Sequence, residues 1–349
     1  MIPQAAQFED IKLLENKLKA SQLPQDLYQK ATAMVDRLTR SAQMGNSGEY
    51  ESVVRYLDWI TALPWRKKTE DTLSLENAKK IMDANHHGLE NIKEWILEYI
   101  SVIRLKSLQS QSEQRAQSLL MVGLVGTGKT SISYSIAQAL GRHFGRIPMG
   151  GMGDALQLRG RARSYPDAEP GQIIKVLRHT QVTNPVILLD EIDRVADAAR
   201  ADIMGVLVEL LDPEQNSRFL DHFIDYPINL SEVLFIATAN NTTNIAAAVM
   251  DRLEVIEMPS YTDEQKIIIA KNYLLPRAIT ACGLAIGDLA INDNVWPQIV
   301  RPLGYDAGMR TLDRAINTIC RKVAKQKVQG IIDKQVITVD NLKEYIPTF

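Results

Sequence analysis

The 349-residue chain carries 40 Lys+Arg against 42 Asp+Glu, a formal net charge of -2, so no overall basic excess asks for nucleic acid. Hydrophobic residues at 45% and charged residues at 23% fit a folded protein with room for two or three compact domains. Only Cys282 and Cys320 occur, without a C-x-x-C pair or a Cys/His cluster, which argues against structural zinc or a disulfide framework and for a reducing compartment. The N-terminal MIPQAAQFEDIKLLE lacks an apolar signal core and no run of 18 apolar residues occurs, so a soluble, cytoplasmic protein is expected.

Residues 1–105 read as helix. Phe8, Ile11, Leu14 and Leu18 recur at three- and four-residue spacing, and a second stripe of Leu27, Ala31, Met34, Val35 and Leu38 follows the break at Leu23-Pro24, each marking one apolar helix face. The polar run Gln43–Gly48 ends that helix. A third begins near Val53 and stops at Leu63-Pro64-Trp65, because proline disfavours helix at the residue before it. Another follows His86-His87-Gly88 and runs through Trp95 to about Leu105. Taken alone, this region is a supporting helical bundle.

The polar stretch Lys106–Ser118 reads as a linker. Residues 106–258 then change character: apolar runs at Leu119–Leu124, Val186–Leu189 and Val233–Ala239 alternate with helical stretches, the pattern of a parallel sheet covered on both faces. From 259 to 349 the chain turns helical again. Thr262-Asp-Glu-Gln265 fits a capping box, and helical patterns continue at Val295–Val300 and Arg310–Gln326. The expected fold is α/β: a phosphate-loop sheet core, a helical N-terminal region and a helical C-terminal subdomain.

Gly123-Leu124-Val125-Gly126-Thr127-Gly128-Lys129-Thr130 matches G-x-x-x-x-G-K-[ST] between an expected strand and an expected helix, the context a phosphate-binding loop needs. Its glycines let backbone amides turn inward around phosphates, the helix N-terminus adds partial positive charge, Lys129 reaches the outer phosphates and Thr130 ligates Mg²⁺. ATP and Mg²⁺ are the expected ligands. Downstream, Val186-Ile-Leu-Leu-Asp190-Glu191 is a buried strand ending in carboxylates. There Asp190 is expected to hold Mg²⁺ through water and Glu191 to deprotonate the attacking water. A mere acidic strand end is the bland alternative. The strand Val233–Asn240 ends in a polar residue that, alone, is more often a turn residue, and Arg252 of Asp251-Arg252 is, alone, equally a surface ion-pair residue.

The order of phosphate loop, Asp-Glu pair, strand-end Asn and Asp-Arg resembles the AAA+ superfamily. Tyr56-Leu57-Asp58-Trp59, Leu63-Pro64-Trp65, His86-x-Gly88-Leu89, Leu211-Asp-Pro-Glu-Gln-Asn216, Asp251-Arg252-x-Glu254-Val255-Ile256 and Ala307-Gly308-Met309-Arg310 resemble the ATPase module of Lon-type proteases. The resemblance implies an ATP hydrolase in which Asn240 helps position water. It makes Arg252 an arginine finger acting on a neighbouring subunit's nucleotide, and Arg310 a sensor reaching from the helical lid. It further implies a homo-hexameric ring and a first pore loop at 160–171, whose Tyr165 grips unfolded or misfolded polypeptide substrates.

Departures from the family pattern are visible. Leu124 and Val125 stand where two prolines are usual, His87 where a tyrosine sits beside the adenine, and Pro166 where an aliphatic residue follows the pore-loop aromatic. The chain stops at a point resembling the junction before a Ser-Lys peptidase domain, so it is expected to be a motor module without that domain, excised or naturally so. Two rivals are a DNA-acting remodeller, for which Arg159, Arg161 and Arg163 beside Tyr165 speak and the net charge does not, and an assembly module that binds ATP without hydrolysing it, against which Glu191 and Arg252 stand.

Overall fold

The computed structural model describes residues 4–43, 50–108, 118–301 and 309–346. The polar run 44–48, most of the expected linker, Ala307-Gly308 and the last three residues lie outside the described residues, as does the side chain of Phe8. The chain divides into two compact units. One comprises residues 1–73, 101–120 and 140–255, the other residues 74–100, 121–139 and 256–349.

Nine short strands occur among the described residues: β1 (Ser118–Val122), β2 (Phe144–Pro148), β3 (Val186–Asp190), β4 (Phe219–Leu220), β5 (Pro227–Ile228), β6 (Leu234–Ala239), β7 (Leu253–Glu257), β8 (Leu289–Ile291) and β9 (Gln335–Ile337). Five of them form one sheet in the order β2-β3-β6-β1-β7, parallel at β2–β3 and β3–β6. β3 is wholly buried, as is β6, which is why both read as unbroken apolar runs. β2 and β7 alternate buried and exposed residues and are short and interrupted by Gly, Pro or charge, so the expectation of three strands missed them.

In the first unit, helices Gln4–Ala20 and Gln25–Gln43 bury most of the anticipated stripes, Ile11, Leu14 and Leu18 on one and Leu27, Ala31, Val35 and Leu38 on the other. Helix Tyr50–Ala62, for which no stripe was named, buries Tyr56, Leu57 and Ile60.

In the second unit, Leu75–Asn85 is a helix that periodicity did not announce, because it buries only Ala78 and Met82; Ser74 caps it by accepting from the Asn77 N–H at 3.2 Å. The capping box at Thr262 and Gln265 is present with both bonds made. The C-terminal helices cluster around Trp296, Ile316, Ile319, Cys320 and Ile337, and burial pushes the Cys320 thiol up to about 12, which leaves it unreactive. A small parallel pair, β8–β9, supplements the expected helices.

Candidate nucleotide and substrate-loop sites

In the second unit the chain leaves β1 and turns through Gly126 and Gly128, with φ of +87° and +93°. These left-handed values suit glycine. Helix Lys129–Leu140 starts directly after, so Lys129 and Thr130 occupy its first turn, where free amide donors and the helix dipole favour an anion. Lys129 is buried and donates to the carbonyls of Gly123 at 2.5 Å and Leu124 at 3.0 Å, while Thr130 and Leu124 are exposed and Val125 half-buried. The loop is fixed from outside by two backbone contacts and one side chain. Met258 N–H donates to Val122 O at 2.7 Å and Met309 N–H to Gly126 O at 3.0 Å, and the Tyr261 hydroxyl donates to Thr127 O at 3.1 Å. A Cβ on Gly126 would lie 3.1 Å from Met309 N and 3.3 Å from Cγ of Arg310, so Arg310 lies against the loop. His87 is half-buried in the turn before helix Glu90–Leu108. Its neighbour His86 has Nε2 2.9 Å from Ser135 Oγ on the helix following the loop; burial, then the nearby Lys93 charge, push its pKa down to about 4.

In the first unit, the ends of β3 and β6 gather the polar groups. Asp190 is 6% exposed. Arg146 of β2 donates to its Oδ2 from Nη2 at 2.6 Å and from Nε at 2.9 Å, and the Thr238 hydroxyl of β6 donates to Oδ1 at 2.6 Å. Both carboxylate oxygens are therefore aimed by donors. The Glu191 N–H donates to the same Thr238 oxygen at 2.9 Å, and Glu191 sits at φ +61°. A non-glycine residue there costs about 1 kcal/mol and is the kind of strain that collects at functional sites. Its Oε2 lies 2.8 Å from where a Cβ of Gly150 would stand, so a side chain at Gly150 would displace the carboxylate from this position. The Asn240 N–H donates to Asp193 Oδ2 at 3.1 Å, tying the end of β6 to the turn after β3.

Arg252 precedes β7. Its Nη2 and Nε reach Asp212 Oδ2 at 2.9 and 3.1 Å, and Nη1 donates to Ala248 O at 2.7 Å. Asp212 opens the Asp-Pro-Glu-Gln-Asn run. Donation from the Glu214 N–H, together with Arg252, holds its carboxyl below the usual range. The segment 160–171 presents Tyr165, 58% exposed, and Pro166, also exposed. The three arginines beside them are each matched by a carboxylate: Arg159 by Glu209, Arg161 by Asp167, and Arg163 by Asp225 at 3.9 Å. Each of these three guanidinium groups thus has a carboxylate partner.

The anticipated residues therefore fall into groups. Within the second unit the loop 123–130 and Arg310 converge. Within the first, Asp190, Glu191 and Asn240 converge at the ends of adjacent parallel strands, while Arg252 and Tyr165 stand on separate segments. Sequence reasoning passed over Arg146, Thr238, Asp212, Tyr261 and His86. Thr238 had a readable signal, a lone hydroxyl inside the apolar run Leu234–Ala239. Arg146 had none, since its strand was itself unseen.

Comparison with known proteins fits this geometry. The family description "ATPase family associated with various cellular activities (AAA)" matches residues 119–261, so the sheet and its loops are an AAA+ ATPase core. "Lon protease AAA+ ATPase lid domain" matches residues 280–336. The chain is 42% identical over 338 residues to a Lon protease of Dictyoglomus thermophilum, covering 97% of this chain and 42% of that protein. It is 40% identical over 343 residues to a Lon protease of Lawsonia intracellularis, covering 98% and 40% respectively. It is also 42% identical over 301 residues to "Lon protease homolog, mitochondrial 1" of Dictyostelium discoideum, covering 86% and 31%. The chain belongs to the Lon-type AAA+ family, of which it carries the ATPase core and the lid. It spans about two fifths of the length of the first two of these relatives. No helix among the described residues is long and apolar enough to cross a membrane.

Proposed function

We propose that this chain is the ATP-hydrolysing motor of a Lon-type protease, a cytoplasmic homo-hexamer that unfolds proteins and threads them toward a Ser-Lys peptidase. The observation that carries the reading is the glycine-built loop 123–130, opening onto a helix whose first turn holds Lys129 and the exposed Thr130. That cradle suits the phosphates of a nucleotide, and the Asp190 carboxylate, held by donors on both oxygens, suits a hydrated cation. Gly123 to Thr130 would hold the phosphates, Thr130 and Asp190 the cation, and His87 the base. Bound Mg²⁺ would neutralise charge developing on the phosphates.

The chain's own groups do the rest. Glu191 accepts the proton of the attacking water, and Asn240 orients that water. Lys129 places its charge against the outer phosphates. Arg310, lying against Gly126, reports the nucleotide to the lid. Arg252 acts on the nucleotide of an adjacent subunit, which requires a ring. Tyr165 and Pro166 contact the extended substrate through apolar surface, without regard to its sequence. The pairing of Arg159, Arg161 and Arg163 with carboxylates speaks for polypeptide over DNA.

The test separates binding from hydrolysis. Lys129→Ala should weaken binding of a fluorescent ATP analogue by at least about 100-fold, roughly 2.7 kcal/mol. Glu191→Gln should bind normally and turn over at least about 100-fold more slowly. Unchanged nucleotide affinity in Lys129→Ala would remove the loop assignment, and near-normal turnover in Glu191→Gln would remove Glu191 as the base.

A further inference from the structure

The Tyr56-Leu57-Asp58-Trp59 segment lies on helix Tyr50–Ala62, in the helical N-terminal region, and no step of nucleotide chemistry uses it. Its contacts reach the substrate loop from two sides. The guanidinium of Arg163, two residues before Tyr165, stands 4.0 Å from the centroid of the Tyr56 ring, and Tyr56 is only 4% exposed. One turn on, the guanidinium of Arg178 stands 4.2 Å from the Trp59 centroid and donates to Asp58 Oδ2 at 2.8 Å. Arg178 belongs to helix Gln172–Thr180, which begins directly after the loop. Tyr56 and Trp59 are three residues apart and so share a helix face. One face therefore clasps an arginine inside the loop and an arginine just beyond it.

The base of the loop is fixed independently. The fully buried Asp221 accepts at Oδ2 from the Gly171 N–H at 2.8 Å, and at Oδ1 from the Phe223 and Ile224 N–H groups, both at 2.9 Å. The Tyr56 hydroxyl donates to Ile224 O at 3.2 Å, and the Tyr56 and Phe223 rings lie 6.2 Å apart. The base is thus rigid without Arg163. What Arg163 adds is a hold on the outgoing arm next to Tyr165, by a side chain that is one-third exposed and fills no core. A planar cation against a ring fixes direction as well as distance.

We propose that Tyr56-Leu57-Asp58-Trp59 is a brace that aims the Tyr165 loop at polypeptide, and that Arg163 is the positioning residue through which it acts. The inference rests on the reading of Tyr165 as the residue that grips substrate. A loosened loop still meets its substrate but holds it in fewer of its conformations, so apparent affinity falls while hydrolysis at saturation does not.

Steady-state ATPase of the wild-type protein and of Arg163→Ala, Arg163→Lys, Tyr56→Phe and Tyr56→Leu, each titrated with casein, tests this. Arg163→Ala should raise the casein concentration giving half-maximal stimulation about tenfold, or 1.4 kcal/mol. Basal and maximal rates should stay within twofold. Arg163→Lys should stay within about threefold of wild type and Tyr56→Phe, which keeps the ring, should match it. Tyr56→Leu should behave like Arg163→Ala, and the double variant should lose no more than either single. If Tyr56→Leu does not fold, the two arginine variants still decide. Unchanged half-stimulation in Arg163→Ala, or a loss confined to the basal rate, overturns the brace while leaving the motor intact. Absence of any ATPase in the wild type would remove the motor and the brace together.

Discussion

Two loops carry the proposed work, and they are held in opposite ways. The loop 123–130 is shaped mainly by its own backbone: positive φ at Gly126 and Gly128, main-chain docking of Met258 and Met309, and one remote side chain, the Tyr261 hydroxyl. The loop 160–171 is held by side chains remote in sequence, the Asp221 carboxylate at its base and the Tyr56 ring beside Arg163. Phosphate chemistry tolerates no variation in where amides point, so that loop is fixed by glycine geometry. A loop that handles extended polypeptide of any sequence needs a set posture and an adaptable surface, and side-chain ties supply both.

If side-chain ties dominate the first unit, removing one should be severe there, and the largest effect is expected at Arg252. On the proposed role of Arg252 as an arginine finger, Arg252→Ala should lower steady-state turnover on the order of 10³-fold. Asp212→Ala should cost less, because Arg252 keeps its bond to Ala248 O. Mixing Arg252→Ala with Lys129→Ala subunits at high protein concentration and low salt should restore part of the activity, since each Lys129→Ala subunit can offer its intact Arg252 to the working phosphate loop of an Arg252→Ala neighbour. Absence of complementation in a sample shown by light scattering to be hexameric would place Arg252 within its own subunit.

The glycines sharpen the contrast in stability. A Cβ on Gly171 would lie 1.9 Å from Leu158 O and 2.4 Å from its carbonyl carbon, atoms of fixed backbone. Gly171→Ala should cost about 3 kcal/mol or more. A Cβ on Gly128 would meet nothing closer than 3.4 Å, so Gly128→Ala pays only for its φ of +93°, about 1–2 kcal/mol. Urea denaturation of both variants checks this. Equal losses would mean that the base of the substrate loop yields, and that its rigidity comes from elsewhere.

The same contrast explains what could be read from the sequence. Strand, glycine turn, lysine and helix follow one another within a few residues, so the phosphate loop was visible as a local pattern. The buried strands β3 and β6 were visible as apolar runs, and the capping box at Thr262 as a spacing. Arg146 on Asp190, Asp212 on Arg252 and Asp221 on Gly171 join residues 40 to 50 positions apart, where no periodicity links them. The AAA+ and Lon resemblance named Arg252 and Tyr165, yet it said nothing of what orients them. Tyr56-Leu57-Asp58-Trp59 was legible as a motif and illegible as a contact, because its partners Arg163 and Arg178 lie more than a hundred residues away.

The smallest expected effect is a pair of opposed pH dependences, one in each unit. Burial raises the Asp221 carboxyl from 3.8 to about 6, against the pull of the Ile224, Gly171 and Phe223 amides and of Lys175. The native state therefore binds this proton more tightly than the unfolded chain does. The carboxyl's contribution to stability is full below about pH 4 and is lost as pH rises through 6, so acidification from pH 7.5 to 5 should add about 1 kcal/mol. His86 runs the other way. Burial, with Lys93, lowers it from 6.5 to about 4, so below pH 6.5 the unfolded chain takes up a proton that the native state refuses, and the same acidification should remove about 2 kcal/mol. In the wild type the two slopes partly offset each other, with a net loss toward pH 5. Urea melts at both pH values should separate them. Asp221→Asn, whose lost acceptor costs the same at either pH, should make the protein fall off more steeply toward pH 5. His86→Gln should make it hold or gain stability. If both variants shifted the slope in one direction, one of these groups would be ionising in solvent, and for Asp221 that would undo the carboxylate clamp at the base of the substrate loop.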